Sequence, residues 1–435
     1  MATDRITQIR IGGLRCVEDL CLDVAGLKVL IGDNGTGKST VLEALDLLRL
    51  AGRQGSSFVN DVLQRRTGGL SAMLRDRSKP LRLGVSLAGA GPTVTYDFEV
   101  AATAVGPAIL SERLAIHAQG EQRPAQIALL RQGDRATVFD VRERNQAPET
   151  ASLGDQPVPE SGIVPGEHNL AVTQLGVHAQ PAVQRVLDGL SRIEVHPPFE
   201  TRARWQLNEL GAQLRPREPV LAENAKVLER YGRNIANCLD TLRNRGKATW
   251  ERVLGRLRLG LGDDVRDVTL DHPGRGLNEA ALVIGRALDE PLRLEQLSEG
   301  QFAYVCFVAL AEMCTAASLV AIEEPELHLH PALLARVVFM LEATASQVPT
   351  LLTTQSDALL DRLAEPAMAV RLLELDARGQ TCVRAPDDVA LQAWLRDYRG
   401  LGDVRANGYE AQVFAKGVAK ADLRAAVPDR EQGCP

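Results

Sequence analysis

The sequence predicts an α/β fold with a mixed central sheet, an antiparallel β lobe and a helical insertion. Three observations lead to this prediction. The apolar run 27–31 is followed by a glycine-rich loop and a helical pattern, which is a strand–loop–helix order. A second apolar run, 319–322, ends in carboxylates. Stretches at 81–100 and 114–141 alternate apolar and polar residues between short turns, as antiparallel strands do.

The glycine-rich loop has the spacing of a phosphate-binding loop (the P-loop, or Walker A motif). Gly32, Gly37, Lys38 and Ser39 match the pattern G-x-x-x-x-G-K-S. In such a loop backbone N–H groups surround the phosphates, the lysine reaches the β and γ phosphates, and the serine is a ligand of Mg²⁺. The positive end of the following helix favours the same anion. The alternative interpretation of the motif is a glycine-rich turn without a ligand. The predicted nucleotide-binding residues are Gly32, Asp33, Asn34, Gly35, Thr36, Gly37, Lys38, Ser39 and Thr40.

The carboxylates after the second apolar run form a Walker B motif. The run LVAIEEPE places Glu323 and Glu324 directly after four apolar residues. If this strand lies next to the P-loop strand, Glu323 holds Mg²⁺ through water and Glu324 is free to act as general base for an attacking water. An acidic cap at a strand end, the alternative, explains one carboxylate but not two.

A third motif, LSEGQ at 297–301, stands shortly before a helical run. Ser298 and Gly300 present a hydroxyl group and backbone N–H groups at a helix start, which suits an anion. Taken alone, the serine would be only a helix cap. Its position between Walker A and Walker B adds Ser298, Gly300 and Gln301 to the predicted nucleotide-binding residues.

The LSEGQ motif resembles the signature motif of ABC-type ATPases, and EEPELHLHP resembles the Walker B motif and D-loop of their RecF, SMC and OLD relatives. The first 40 residues are similar to the amino-terminal strands of the same group, where Arg15 stands at the position of a nucleotide contact. The resemblance implies ATP and Mg²⁺ as cofactors. It also implies a head-to-tail homodimer in which Ser298, Gly300 and Gln301 act on a nucleotide held by Lys38 and Ser39 of the other copy.

The chain departs from this group after the apolar run 350–353. Where the group carries a switch histidine, this chain has Gln355, whose amide can donate a hydrogen bond to the γ-phosphate but carries no charge. The alternative is that Gln355 only caps the next helix. His328 and His330 have no third ligand nearby in the sequence, so we assign them to the D-loop and not to a metal site.

The motifs divide the chain into three predicted units. Residues 1–145 form an N-terminal ATPase lobe with Walker A and the antiparallel strands, and 263–435 form a C-terminal lobe with the signature and Walker B motifs. Residues 146–262 are predicted to hold a Pro- and Gly-rich linker at 146–168 and a helical insertion, with helices at 218–239 and 248–259.

Positive charge is concentrated in the insertion. Residues 201–260 contain 11 Arg and 2 Lys against 6 acidic residues, whereas the whole chain has a net charge of −6. Such a segment could bind the phosphates of DNA or RNA, an acidic partner protein, or only water. Arg243, Arg245 and Lys247 are the predicted contacts.

Composition limits the class of protein. The first residues lack the apolar stretch of a signal peptide, and the longest apolar run is interrupted by Glu312, so we expect a cytoplasmic protein without a membrane span. Seven scattered cysteines without a C-x-x-C pair predict reduced thiols.

The predicted function is an Mg-dependent ATPase that dimerises around ATP and acts as a switch in DNA repair or anti-phage defence. A separate effector, such as a nuclease or toxin, would work with it, because too little chain follows Gln355 for an appended Toprim nuclease domain. Two alternatives stay open: the ATPase subunit of a membrane transporter, and a sensor of nucleic acid or ligand that hydrolyses ATP weakly.

Overall fold

The computed structural model describes residues 3–55, 57–66, 68–89, 91–117, 125–139, 159–175, 180–202, 217–271, 276–284 and 291–414. Its strands are β1 (Arg5–Leu14), β2 (Val17–Asp23), β3 (Leu27–Ile31), β4 (Leu81–Ala88), β5 (Thr93–Ala102), β6 (Pro107–His117), β7 (Gln126–Gln132), β8 (Arg135–Phe139), β9 (Pro159–Ile163), β10 (Ile193–His196), β11 (Val220–Leu221), β12 (Val265–Asp271), β13 (Leu277–Ile284), β14 (Leu292–Arg293), β15 (Leu319–Glu323), β16 (Thr350–Thr353), β17 (Val370–Leu375) and β18 (Thr381–Arg384). Its α-helices are α1 (Lys38–Ala51), α2 (Gly69–Met73), α3 (Ala171–Leu175), α4 (Pro181–Ser191), α5 (Ile235–Asn244), α6 (Lys247–Leu261), α7 (Glu299–Met313), α8 (Pro331–Ala345), α9 (Asp357–Leu360), α10 (Pro366–Ala369), α11 (Asp388–Trp394), α12 (Leu401–Ala406) and α13 (Glu410–Val413).

The central sheet has the strand order β10-β15-β16-β3-β17-β18, in which every neighbouring pair is parallel except β17 and β18. The mixed sheet predicted from the sequence is therefore confirmed. The expectation that the Walker B strand β15 lies next to the P-loop strand β3 is wrong, because β16 lies between them. Glu323 is level with Thr353, and Thr353 is level with Leu30, so the three strands still end at one edge of the sheet.

The two faces of the central sheet pack against different hydrophobic cores. Leu30 of β3 points into a core shared with α1 and the antiparallel strands, whereas Val29 and Ile31 point into a core shared with α5 to α8. This alternation follows from the two-residue period of a strand. The apolar run that predicted β3 is continuous because both of its faces are covered.

The antiparallel lobe is a sheet with the strand order β2-β1-β4-β5-β6-β7-β8-β9. Glu112 of β6 and Arg131 of β7 form a fully buried ion pair at 3.0 Å inside it. Glu112 also accepts a hydrogen bond from the backbone N–H of Ala171, and Arg131 donates to the carbonyl oxygen of Asn169. This network attaches the segment before α4 to the lobe. The predicted strands at 81–100 and 114–141 are confirmed within the described residues.

The segment 146–262 contributes to several parts of the fold. Strand β9 extends the antiparallel sheet and β10 is the edge strand of the central sheet. The predicted linker at 146–168 lies outside the described residues up to position 158. The helix predicted at 218–239 is wrong in its first part, because α5 begins only at Ile235, after Tyr231 and Gly232 adopt φ values of 64° and 78°. These left-handed residues interrupt a helix.

The described chain ends in a helical segment, 388–414, which we name the C-terminal segment. Leu401 and Val404 of α12 are fully buried in the core that also holds α7 and α8. Trp394 of α11 stacks on Tyr409, just before α13, with ring centroids 4.6 Å apart. In the part of the chain that the structure describes, no helix is long and apolar enough to span a membrane.

Candidate nucleotide-binding site

The P-loop between β3 and α1 depends on three glycines with positive φ. Gly32, Gly35 and Gly37 have φ values of 141°, 82° and 109°, which L side chains rarely adopt. A Cβ atom on Gly32 would lie 2.2 Å from the carbonyl oxygen of Leu373, so the close approach to β17 also requires glycine. The glycine spacing in the sequence thus follows from the shape of this loop.

The other predicted P-loop residues divide by exposure. Asp33, Asn34, Gly35 and Ser39 are exposed, whereas Thr36, Gly37, Lys38 and Thr40 are buried. Thr36 donates its hydroxyl hydrogen to the carbonyl oxygen of Asp33 at 2.9 Å and so closes the loop on itself.

Lys38 folds back over the P-loop. Its Nζ donates to the carbonyl oxygens of Gly32 at 2.5 Å and Asp33 at 2.9 Å. Burial lowers the pKa of Lys38, with a smaller contribution from the charge of Arg405, and Glu324 opposes the shift. An ammonium group that is desolvated and bound only to carbonyl oxygens gains most from an anionic phosphate placed at the same position.

Ser39 and Glu323 meet at the edge of the central sheet. Ser39 Oγ donates to Glu323 Oε1 at 3.0 Å. A hydroxyl and a carboxylate oxygen are the hard oxygen donors that Mg²⁺ binds directly or through water. These two residues, predicted as the metal site, therefore lie together and fit the ion.

Glu324 follows with an unusual backbone conformation, φ 43°, which is rare for a residue other than glycine. Its Oε1 accepts a hydrogen bond from Gln355 Nε2 at 3.2 Å. The structure therefore brings the predicted base and the predicted switch residue into contact. Strained backbone of this kind is found at functional sites, where it points a side chain in one direction.

Glu326 joins this group, although no sequence pattern singles it out from its motif. One of its oxygens, Oε1, accepts hydrogen bonds from Thr354 Oγ1 at 2.6 Å and from the Gln355 backbone N–H at 3.3 Å. Burial raises the pKa of Glu326, and Glu324 adds to the increase. Glu326 thus links the loop after Walker B to the loop after β16.

The signature segment, 297–301, starts helix α7. Ser298 Oγ accepts the backbone N–H of Gln301 at 3.3 Å, and Gln301 Oε1 accepts the backbone N–H of Ser298 at 3.0 Å. This capping box shows that Ser298 does cap the helix, as the alternative interpretation expected, but the serine is also exposed to solvent. Both roles are compatible, because a hydroxyl oxygen has two lone pairs and one hydrogen.

Two contacts that could not be predicted from the sequence hold the signature segment in place. Arg217 Nη1 donates to the carbonyl oxygen of Leu297 at 2.6 Å, and its guanidinium lies 4.8 Å from the ring centroid of Phe302. A Cβ atom on Gly300 would lie 2.8 Å from the carbonyl oxygen of His328, so α7 touches the D-loop. Arg217 is 80 residues from Leu297 and no local pattern marks it.

The D-loop histidines make local contacts. His328 Nδ1 lies 2.8 Å from Glu299 Oε2, and His330 Nδ1 accepts the backbone N–H of Ala332 at the start of α8. Among the described residues no group of three or more potential metal ligands occurs. The assignment of both histidines to the D-loop stays a prediction.

An open cleft of about 810 Å³, lined by four basic and two acidic side chains, lies near the P-loop. Arg15, Arg75, Arg77 and Lys79 line it, and Arg15 Nε is paired with Glu43 Oε2 at 2.6 Å. Cys16 and Thr381, the chain neighbours of the lining residues Arg15 and Gln380, connect the cleft to the P-loop. The backbone N–H of Thr381 donates to the Cys16 carbonyl oxygen, and Thr381 Oγ1 donates to the carbonyl oxygen of Thr36, both at 2.9 Å.

The basic insertion is partly paired within the protein. Arg243 Nη1 donates to the carbonyl oxygen of Val268 at 3.0 Å, and Arg245 Nη1 donates to that of Glu312 at 3.2 Å. Lys247 is exposed. All three side chains are exposed, and the two arginines keep their positive charge because a carbonyl oxygen is neutral.

The P-loop, the two Walker B glutamates and the signature helix on one mixed sheet define the fold of a P-loop ATPase. A family model described as "AAA domain, putative AbiEii toxin, Type IV TA system" matches residues 27–153 and 262–361, a little over half of the chain, and the chain belongs to this family. No curated protein sequence matches the chain.

Solved structures with a similar outline are SMC heads. An SmcHead bound to the C-winged helix domain of ScpA is 12% identical with a TM-score of 0.48, covering 87% of this chain and 97% of its own. The SMC head domain from Thermotoga maritima is 9% identical with a TM-score of 0.42, covering 88% and 99%. An Smc head domain with an extended coiled coil, bound to the C-terminal domain of ScpA derived from Pyrococcus furiosus, is 12% identical with a TM-score of 0.47, covering 91% and 99%.

Proposed function

We propose that this protein binds Mg·ATP in the P-loop, hydrolyses it, and uses the ATP-bound state to form a head-to-tail homodimer. The observation that carries the proposal is the contact between Ser39 and Glu323 at 3.0 Å, with Glu324 as the next residue. It brings the loop that would bind phosphate and the two carboxylates of Walker B to one point at the edge of the sheet. A glycine-rich turn without a ligand gives no reason for this convergence.

The residues of the site have separate roles in hydrolysis. Lys38 and the backbone N–H groups of the P-loop bind the phosphates, and Ser39 and Glu323 would hold Mg²⁺. When bound, the ion neutralises negative charge on the phosphate oxygens. Glu324 orients the attacking water and accepts its proton on a carboxylate oxygen, while Gln355 donates a neutral hydrogen bond from Nε2.

The nucleoside part of ATP would lie in the open cleft beside the P-loop. Arg15 and Gln380 line this cleft, and their chain neighbours Cys16 and Thr381 contact Thr40 and Thr36 of the P-loop. Arg15 would then exchange part of its pairing with Glu43 for a contact with the nucleotide.

Dimerisation would complete the site from a second copy. The exposed hydroxyl of Ser298, the N–H groups at Gly300 and the side chain of Gln301 would face the γ-phosphate held by the other chain. ATP bound between the two copies would stabilise the dimer, because the charge of its phosphates is satisfied only when the P-loop of one copy meets the signature segment of the other.

One observation favours a second candidate, a switch that hydrolyses ATP slowly. Gln355 Nε2 donates a hydrogen bond to Oε1 of the predicted base Glu324. The amide takes one of the lone-pair sites of this carboxylate and so restricts where an attacking water can bind. A partner or nucleic acid that moves this loop would then accelerate turnover.

The biological role that we propose is a cytoplasmic switch in anti-phage defence or DNA repair that works with a separate effector such as a nuclease or toxin. The family description names a toxin and a TA system, and this supports the defence role. The long insertion between Walker A and the signature motif speaks against a transporter subunit. Lys247 and its basic neighbours would contribute any contact with DNA or RNA.

The test is steady-state ATP hydrolysis with Mg²⁺ by wild type and two variants. Glu324→Gln should lower the rate by about 10²- to 10⁴-fold, because the water loses its base, while ATP affinity persists. Glu251→Gln, an exposed glutamate on α6, is the matched control and should hydrolyse ATP as the wild type does. Equal rates in wild type and Glu324→Gln would refute the proposed role of Glu324.

A further inference from the structure

The loop that follows β16 connects the Walker B carboxylates to helix α9. Gln355 contacts Glu324 through its side chain and Glu326 through its backbone N–H. The next residue, Ser356, caps α9 by accepting the backbone N–H of Leu359 at 3.3 Å. The position of α9 therefore sets where the amide of Gln355 lies relative to the predicted base.

Helix α12 of the C-terminal segment holds the first residue of α9. Arg405 Nη1 donates to Asp357 Oδ1 at 3.0 Å, and its Nε donates to Glu410 Oε1 at 3.1 Å. Only 16% of the Arg405 side chain is exposed. A planar guanidinium bound to two carboxylates in different directions has little freedom to rotate.

The backbones of α12 and α9 are in close contact. A Cβ atom on Gly402 would lie 2.0 Å from the carbonyl oxygen of Asp357, and one on Gly400 would lie 2.7 Å from the Cα atom of Asp361. The backbone N–H of Asp403 donates to Asp361 Oδ1 at 2.9 Å. Any movement of α9 must therefore be transmitted to α12.

The family model matches the chain up to residue 361, so Arg405 and the rest of the C-terminal segment lie outside it.

We propose that Arg405 is a positioning residue for ATP hydrolysis: through Asp357 it holds the loop that places Gln355 against Glu324, and it couples this loop to the C-terminal segment. The proposal rests on the proposed ATPase function. Movement of Gln355 toward a γ-phosphate would shift α9, and the shift would reach Trp394 and Tyr409 through Arg405 and its partner on α13. The C-terminal segment would thus respond to the nucleotide.

The test combines hydrogen exchange with kinetics. Arg405→Met should accelerate amide exchange over 354–361 by about tenfold, without a change in α1, because the loop loses its anchor. It should lower kcat by about tenfold and leave KM for ATP within about twofold, since phosphate binding does not involve Arg405. Arg405→Lys keeps the charge but loses the planar guanidinium, so its exchange rate and kcat should lie between those of wild type and Arg405→Met. It serves the same comparison if Arg405→Met does not fold. Arg399→Met, an exposed arginine of the same segment, is the control and should match the wild type.

Each outcome decides the proposal. Unchanged exchange over 354–361 in Arg405→Met would refute the positioning role, and so would faster exchange with an unchanged kcat. A fall in kcat with equally faster exchange throughout the protein would show that Arg405 serves the fold as a whole. If the wild type hydrolyses no ATP, the proposed function fails and the kinetic part of this proposal fails with it, while exchange still shows whether Arg405 holds the loop.

Discussion

The pair formed by Ser39 and Glu323 gives a prediction that separates a metal site from a structural contact. Glu323→Gln keeps an oxygen that can accept the hydrogen bond from Ser39 Oγ but removes the charge. Because the contact is exposed, its net contribution to folding is at most about 1 kcal/mol, and the amide preserves part of it. We therefore expect almost no change in the stability of the nucleotide-free protein.

The effect on Mg²⁺ should be much larger. Loss of a carboxylate that holds the ion, directly or through water, typically lowers metal affinity by about 10- to 100-fold. The assay is titration with a fluorescent ATP analogue in Mg²⁺ and in EDTA, with Glu251→Gln as control. The part of the affinity that depends on Mg²⁺ should fall in Glu323→Gln, while affinity in EDTA should stay or rise because a negative charge near the phosphates is lost. Equal Mg²⁺ dependence in both variants would contradict the assignment.

Three further predictions concern the switch loop, the half-buried Glu326 and the insertion. Gln355→Ala should lower kcat with little change in ATP affinity, and Gln355→His should add pH dependence between about 6 and 7.5 that the wild type lacks; an alanine variant at the wild-type rate would show that Gln355 has no role in hydrolysis. Burial raises the pKa of Glu326, so the stabilisation present below its unfolded pKa is lost as pH rises through its folded pKa. Thermal unfolding of Glu326→Gln should therefore occur at a higher temperature than that of wild type at pH 8 but not at pH 4, and equal differences at both would contradict this. Reversal of Arg243, Arg245 and Lys247 to Glu should weaken binding to DNA, RNA or an acidic partner, as added salt should, while basal hydrolysis persists; binding insensitive to both would make the segment plain surface.

The elements that could be predicted from the sequence are those with a local pattern. The apolar run before Gly32 and the glycine spacing up to Gly37 specify a strand, a loop of positive φ and a helix within about 25 residues. Walker B is equally local. Ser39 and Glu323, which we propose as the Mg²⁺ ligands, could be named for the same reason, because each stands at the end of a motif of its own.

The parts that could not be predicted depend on contacts between distant residues. Thr381 bonds the carbonyl oxygen of Thr36, 345 positions away, and Arg217 bonds that of Leu297, 80 positions away. Hydrophobic periodicity carries no information on such pairs. The position of β16 between the two motif strands was missed for the same reason, since strand order is a property of the whole sheet and not of any one segment.

The central claim, that ATP joins two copies through the signature serine, is tested most directly by the mass of Glu324→Gln in solution. Light scattering in Mg·ATP should give twice the 47.1 kDa of one chain and persist for the duration of the experiment, because bound ATP is not hydrolysed. The added variant Ser298→Arg should bind ATP and keep the mass of one chain. If Glu324→Gln binds ATP but keeps the mass that it has without nucleotide, the head-to-tail dimer is wrong for this protein.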